Sequence, residues 1–116
     1  MKAPAYVPDT GDLVWVDFDP QKGHEQSGRR PALVLSPIEY NRVVGLFIVC
    51  PVTTRIKGYP FEVPLPPGSK IAGAVLADHV KSLDWRRRRA EFADSVDRDG
   101  TLLNEVRIRL RPLLRI

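Results

Sequence analysis

The sequence is poor in cysteine and histidine, and it lacks long apolar runs. Cys50 is the one cysteine among 116 residues, so no disulfide can form within the chain, which suits a reducing compartment. No apolar run approaches the roughly 18 residues that a membrane-spanning helix needs, and no apolar signal region follows Lys2. We therefore expect a cytoplasmic protein that does not enter a membrane.

Metal-ligating residues are also sparse. No cluster of Cys, His and Asp has the spacing of a catalytic metal site, so we expect no metal and no other cofactor. Cys50 lies in the apolar run LFIVC that begins at residue 46. This context predicts a buried, inert thiol rather than a nucleophile.

The positive charge is concentrated in the last third of the chain. Residues 1–78 carry eight Lys or Arg and eight Asp or Glu, whereas residues 79–116 carry ten and six. The whole surplus of +4 therefore follows residue 78. It favours a polyanion or an acidic protein as partner, although a surplus of this size also fits a solubilising surface.

A polar segment at residues 23–31, with the sequence GHEQSGRRP, is the most distinctive part of the chain. It lies between two apolar runs that are typical of strands, and its glycines permit tight turns. A base, Glu25 or His24, beside an anion-stabilising Arg30 is what phosphoryl chemistry requires. Considered alone, a segment of this composition is more often a solvated hairpin loop than a functional site.

Alternating and β-branched patterns predict six strands, and helical spacing predicts two helices. Ser36, Pro37 and Glu39 predict the start of a short helix with a capping box. Pro112 is expected to disrupt the last turn of the C-terminal helix. The predicted strands cover residues 13–18, 32–36, 46–52, 59–63, 74–80 and 90–96, and the apolar stripe of the C-terminal helix comprises Leu102, Leu103, Val106, Leu110 and Leu113.

These elements predict a mainly β fold with short helices, an SH3-like antiparallel barrel carrying a C-terminal amphipathic helix. The strands at 13–18 and 32–36 should pair as a hairpin, and Pro60 should put its strand at an edge. We expect one domain over residues 1–116, with residues 1–8 loosely attached. A chain of this length buries a thin core, so dimerisation would help to stabilise it.

Several runs, in order along the chain, resemble the MazF/PemK toxins of type II toxin–antitoxin systems, and in particular the MazF members. They are GDLVWVDFDP from residue 11, EQSGRRP from residue 25, KGYPFEV from residue 57 and ADHVKS from residue 77. The resemblance covers nearly the whole chain and weakens after Trp85. It implies an SH3-like barrel that forms a homodimer.

The resemblance also implies a function. Family members are metal-independent endoribonucleases that cut single-stranded RNA at short sequences, and each is silenced by a cognate antitoxin. Any contact with DNA would be made through the antitoxin. Carried over by position, Glu25 and Arg30 match the acid/base and phosphate-stabilising residues, and Thr53 matches a threonine that holds the scissile phosphate. The side chains expected to bind RNA are Phe18, His24, Arg29, Thr54, Lys57, Asp78, His79 and Lys81.

The sequence departs from family patterns at two positions, Leu76 and His79. Asp78 matches an acidic residue that matters in the PemK branch, but Leu76 replaces the arginine that acts beside it there. His79 stands where close relatives carry glutamine, so the base preference is open.

The chemistry is consistent with the residues themselves. Metal-free RNA cleavage uses the ribose 2′-OH as an internal nucleophile, so the protein needs only a base, an acid and positive charge for the transition state. Glu25 can be the base, and Arg30 can hold two phosphate oxygens as a fork.

Simpler interpretations stay open for several residues. Arg29 and Arg30 could bind carboxylates, Thr53 and Thr54 could bond to turn backbone, and Asp78 could be a structural carboxylate. The arginine run at residues 86–89 could be a solvated face, line the RNA path or meet an acidic antitoxin segment. A second class of function, a non-catalytic module such as the gyrase-poisoning toxins of the same fold, is the alternative to the nuclease.

Overall fold

The computed structural model describes residues 5–18 and 28–116. Within them the chain forms a mainly antiparallel β structure with two α-helices, as the sequence predicted. In chain order the elements are β1 Asp12–Phe18, β2 Gly28–Val34, α1 Ile38–Val44, β3 Leu46–Thr53, β4 Glu62–Pro64, β5 Ala74–Leu76, a 3-10 helix Ala77–His79, β6 Lys81–Asp84, β7 Glu91–Ser95 and α2 Thr101–Leu114.

The strands form one sheet in the order β4-β5-β3-β2-β1-β7, and β6 pairs with β3. The β1–β2 hairpin has the predicted pairing, with Asp17 opposite Arg29 and Phe18 opposite Gly28. Among the described strands the pairings do not join β4 to β7, so the sheet is not closed into a complete barrel. The β4 strand lies at one edge of the sheet, as predicted.

Both faces of the sheet are buried, because successive strand residues point to opposite sides. One face packs against the α2 stripe of Leu102, Leu103, Val106 and Leu110. We call the other the Phe18 face. Its buried residues are Val14, Val16, Phe18, Ala32, Val34, Phe47, Val49 and Trp85.

The start of α1 differs from the predicted capping box. Its N-cap is Pro37, and no side chain of the helix caps it. Ser36 is buried, where its hydroxyl donates to Asn41 Oδ1 at 2.6 Å and accepts the Ile48 N–H at 2.8 Å. The Ile38 N–H is satisfied instead by Asp9 Oδ1 at 3.0 Å. A carboxylate from a distant part of the chain therefore replaces the local cap.

The predicted strand at 74–80 ends early. Its last residues form the 3-10 helix, and the chain then enters β6, a short strand that the sequence pattern did not reveal. The predicted strand at 59–63 also starts too early, because the Glu62 N–H donates to the Tyr59 carbonyl in a turn. The predicted strand at 90–96 is β7, and the arginine run before it forms turns.

Pro112 does not end α2, which continues to Leu114. Only one intrahelical bond depends on the Pro112 nitrogen, and in a final turn its loss is tolerated. Leu113 is 47 % exposed, so the buried stripe ends at Leu110.

The N-terminal segment is attached to the sheet from Tyr6 onward, although the sequence predicted a loose extension over residues 1–8. Tyr6 donates its hydroxyl to Asp12 Oδ2 at 2.5 Å and packs edge-on against Phe92. Pro8 is buried, and its carbonyl accepts a hydrogen bond from the Asn41 side chain at 2.8 Å.

Cys50 is fully buried, as predicted. Its Sγ lies 3.7 Å from the Ala77 carbonyl oxygen. Burial, with a smaller contribution from the nearby charge of Asp78, raises the pKa of the thiol to about 12. The thiol therefore stays protonated and unreactive at neutral pH.

Candidate active site

Arg30 of β2 and Thr53 of β3 lie on the same face of the sheet. The antiparallel β2–β3 register pairs Ala32 with Pro51. Arg30 is two residues before Ala32, and Thr53 is two residues after Pro51. A shift of two residues keeps a side chain on its original face. Arg30 is also the cross-strand partner of Val16, a buried residue of the Phe18 face.

Lys81 joins this face from β6. Its cross-strand partner is Val49, and its Nζ lies 5.6 Å from the centre of the Phe18 ring. That ring is 4 % exposed and is covered by the ammonium group. Phe18 thus offers an RNA base almost no surface for stacking. Its ring instead supports the Lys81 ammonium group. We call Phe18, Arg30, Thr53 and Lys81 the Phe18 cluster.

Glu25 and His24 lie outside the described residues. The segment that carries them is joined to the site at both ends, since it begins after Phe18 and ends before Gly28, and these two residues are cross-strand partners. Arg30 follows two residues after Gly28 and is exposed. The exposed guanidinium and the Glu25 segment are therefore close along the chain.

Arg29 points away from the Phe18 cluster, because it is the neighbour of Arg30 on the same strand. Its Nη1 lies 3.0 Å from Asp17 Oδ1, and its Nη2 donates to the Arg89 carbonyl at 2.9 Å. Arg89 Nε completes the arrangement at 2.6 Å from Asp17 Oδ2. The two guanidiniums, Arg89 first, hold the pKa of Asp17 below its usual value. This geometry favours the carboxylate-binding interpretation of Arg29, and its assignment to RNA stays a prediction.

Thr53 is 7 % exposed, and its Oγ1 accepts the Arg55 N–H at 3.0 Å. The turn role and the catalytic role do not compete, because a hydroxyl that accepts one bond keeps its proton for donation. Thr54, the next residue, is exposed.

Gly73 fixes the position of Thr53. Its φ is +126°, and a Cβ on this residue would overlap the Thr53 carbonyl oxygen. Only glycine permits this approach of the two backbones. Gly73 was not among the residues predicted from the sequence, because nothing local in the GSKIAGA stretch distinguishes this glycine from a flexible one.

Asp78 and His79 lie in the 3-10 helix between β5 and β6. Asp78 Oδ1 accepts the Tyr59 hydroxyl at 2.9 Å and lies 3.9 Å from His79 Nε2. Burial, then the hydrogen bond to Asp78, raises the pKa of Tyr59. Tyr59 therefore remains a donor, and one lone pair of the Asp78 carboxylate is used in holding it.

Lys57 lies in the exposed connection between β3 and β4. The backbone there is held by Glu62, whose carboxylate accepts the N–H groups of Lys57 and Gly58. Glu62 belongs to the KGYPFEV run, but no role was predicted for it from the sequence. The sequence feature that could have drawn attention to Glu62 is an acidic residue inside an apolar strand pattern.

The arginine run at residues 86–89 is partly used by the fold. The Arg86 guanidinium lies 4.8 Å from the centre of the Trp85 ring, and the Arg88 carbonyl accepts the Asp17 N–H at 2.9 Å. Arg89 is bound to Asp17 through its side chain. Arg87 and Arg88 line a cleft of about 700 Å³ together with Asp17, Leu46, Ser82, Leu83 and Asp84.

Residues 5–18 and 28–116 contain no group of three or more His, Cys, Asp or Glu side chains that could hold a metal ion. In the same part of the chain, no helix has both the length and the apolar character needed to cross a membrane.

Residues 9–114 match the family model described as PemK-like, MazF-like toxin of type II toxin-antitoxin system. The chain belongs to this family. It is 60 % identical over 85 residues to the endoribonuclease toxin MazF of Escherichia coli strain K12, an alignment that covers 73 % of this chain and 76 % of that protein. It is 33 % identical over 111 residues to the endoribonuclease PemK of Escherichia coli, covering 91 % of this chain and 81 % of PemK.

Solved structures of family members agree with the fold. The crystal structure of MazF from Deinococcus radiodurans superposes with a TM-score of 0.89 at 60 % identity, covering 97 % of this chain and all of that one. A MazE–MazF structure from the same organism gives a TM-score of 0.85 at 60 % identity, covering 97 % and 99 %. The predicted MazF/PemK membership and fold class are confirmed.

Proposed function

We propose that the chain is an endoribonuclease toxin that cleaves single-stranded RNA and is neutralised by a cognate antitoxin. The observation that carries this proposal is the 60 % identity to a protein named as an endoribonuclease toxin. The Phe18 cluster supports it, because Arg30 and Thr53 share a face beside the ends of the Glu25 segment.

The proposed reaction needs no nucleophile from the protein. Glu25 removes the proton of the ribose 2′-OH, the O2′ atom attacks the adjacent phosphorus, and the bond from phosphorus to O5′ breaks. The departing O5′ takes a proton, leaving a 2′,3′-cyclic phosphate and a 5′-hydroxyl. Arg30 stabilises the extra negative charge on the phosphorane oxygens, and the Thr53 hydroxyl orients the phosphate.

The cut is proposed to be sequence-specific and independent of metal ions. Arg30 supplies the charge that a metal would otherwise provide. Lys57, Lys81 and His79 are the described side chains that we propose to contact the RNA beyond the scissile phosphate.

The proposal extends to assembly and location. The MazE–MazF crystal structures from Deinococcus radiodurans support an antitoxin partner for this chain, and the basic surplus after residue 78 is suited to an acidic segment of such a partner. We propose a single toxin domain over residues 1–116, a homodimer as the working unit, and a cytoplasmic location, where RNA is found and Cys50 stays reduced.

A chelator experiment tests the reaction. The purified protein is incubated with mixed-sequence single-stranded RNA in excess EDTA, and the cut ends are sequenced and analysed chemically. We expect cleavage at a short common sequence, with a 2′,3′-cyclic phosphate or its opened 3′-phosphate and a 5′-hydroxyl. Strict dependence on Mg²⁺, or 5′-phosphate products, would contradict the mechanism. Binding without any cleavage would instead favour the non-catalytic alternative.

A further inference from the structure

The connection between β3 and β4 begins immediately after Thr53 and presents two basic side chains, Arg55 and Lys57. Its residues 54–58 are all exposed. Five successive exposed residues cannot take a fixed conformation by burying apolar surface. Whatever fixes this connection must therefore be polar.

Glu62 provides the polar anchor. The residue is 7 % exposed at the start of β4. The Lys57 N–H lies 3.1 Å from Oε1 and 3.0 Å from Oε2, and the Gly58 N–H lies 2.6 Å from Oε1. Hydrogen bonds to an ionised acceptor are about twice as strong as neutral ones, so two adjacent backbone amides are held at one point.

Two further contacts fix the remainder of the connection. The Tyr59 hydroxyl donates to Asp78, and Arg109 Nε of α2 donates to the Pro60 carbonyl at 2.8 Å. These contacts act after Gly58. At the other end of the connection, Thr53 Oγ1 accepts the Arg55 N–H at 3.0 Å. Glu62 is thus the anchor nearest to Lys57.

We propose that Glu62 is a positioning residue for RNA binding. Its buried carboxylate holds the Lys57 and Gly58 backbone so that the Lys57 ammonium is presented at a fixed place beyond Thr53. This inference rests on the proposed function, because it assigns Lys57 to the RNA path. Glu62 itself does not touch the RNA.

A double-mutant cycle tests the inference. Glu62→Gln keeps the size of the side chain but removes its charge and replaces one acceptor oxygen by a donor. It is compared with Lys57→Ala and with the double variant. The readout is affinity for RNA that carries 2′-O-methyl groups and so cannot be cleaved, at two salt concentrations.

We expect each single variant to weaken RNA binding about tenfold, the size of one charge-assisted hydrogen bond. We expect the RNA affinity of the double variant to be about the same as that of either single variant, because both changes remove the same interaction. In each variant the slope of log binding constant against log salt concentration should become less steep by about 0.7. This is the value for one phosphate of a single strand that is no longer neutralised. Glu39→Gln, the same charge change at an exposed position of α1, should alter neither quantity.

Independent, multiplying effects of the two changes would overturn the inference, since Glu62 would then act on stability and not through Lys57. If the wild-type chain binds no RNA, the proposed function fails and this inference with it, so the two failures are distinguishable. Amide hydrogen exchange at Lys57 and Gly58 is measured in parallel and should accelerate in Glu62→Gln. If that variant does not fold, Glu62→Asp replaces it in the same cycle, with the same non-additivity expected.

Discussion

The Phe18 cluster and the arginine run at residues 86–89 are both rich in positive charge, and they are built in opposite ways. In the cluster, Arg30, Thr53 and Lys81 come from three different strands, and the backbone ladders bring them to one face. In the run, the charges are consecutive, and Trp85 and Asp17 hold two of them. A high local density of arginine therefore indicates a structural turn here, while the candidate site is assembled from residues far apart in sequence.

The largest effect that would sharpen this contrast is expected at Arg30. Arg30→Ala should lower the single-turnover cleavage rate by about 10²–10³-fold, as is typical when one preorganised donor to the transition state is lost. The affinity for uncleavable RNA should change much less, because the fork acts mainly on the phosphorane. Arg29→Ala is the comparison on the opposite face. Equal loss of rate in the two variants would show that the face of the strand does not decide the role.

A large effect on stability is expected at Gly73, where close backbone packing positions Thr53. Gly73→Ala places a Cβ against the Thr53 carbonyl oxygen, in addition to backbone strain of about 1–2 kcal/mol at a positive φ. Each kcal/mol lowers the melting temperature of a domain of this size by roughly 3–6 °C, between the ranges for smaller and larger domains. Both the melting temperature and the cleavage rate should fall.

Gly68 offers the matched control, since its φ is +88° and a Cβ on this residue would have no neighbour within 4 Å. Gly68→Ala should show the φ strain without the clash, and cleavage at the wild-type rate. If the two alanine variants have the same melting temperature and the same cleavage rate, close packing against Gly73 does not position Thr53.

A smaller effect is expected at the exposed end of the run. The double variant Arg86→Gln, Arg87→Gln should weaken binding of uncleavable RNA about threefold and flatten its salt dependence by about 0.7 for each phosphate that is no longer bound. The cleavage rate of bound RNA should not change. Arg111→Gln with Arg115→Gln makes the same charge change at the exposed end of α2. If both double variants leave affinity unchanged, the run is a solvated face, the simplest of the sequence interpretations.

The smallest effect is expected at Asp17, which holds the run against β1. Its folded pKa is lowered, so its stabilisation is present above the unfolded pKa of about 3.9 and is lost as the pH falls through the folded pKa. The melting temperature of the wild-type chain should exceed that of Asp17→Asn slightly at pH 6, and the difference should shrink below about pH 4 and disappear once the carboxylate is protonated. Asp99→Asn serves as the control. A difference of the same size at pH 2 would contradict the ionic origin.

The elements that the sequence predicted well have local causes. The β1–β2 hairpin follows from two apolar runs around a polar segment, and α2 follows from leucines at helical spacing. The α1 cap was wrong because its acceptor, Asp9, is 29 residues from the Ile38 N–H that it binds. The β6 strand escaped prediction because Lys81 and Asp84 make its pattern polar, and pairing with β3 decides its conformation.

The candidate site divides in the same manner. The resemblance to the MazF/PemK toxins identified Arg30 and Thr53 as candidates, and their common face follows from strand alternation. Gly73 could not be recognised, because its role is defined by the backbone carbonyl of Thr53 on a neighbouring strand. Glu62 did carry a signal, an acidic residue in an apolar strand pattern, but the pattern does not show that its carboxylate binds the Lys57 and Gly58 amides.

The condition of Cys50 has a practical consequence for labelling this chain. Because its thiol is fully buried and its pKa is raised to about 12, maleimides and iodoacetamides should not modify Cys50 in the folded state. A cysteine introduced at an exposed position, such as Thr54 or Arg87, would then be the one fast-reacting thiol without any need to replace the native residue. Fluorophores or photo-crosslinkers attached there would report where RNA and antitoxin approach the surface.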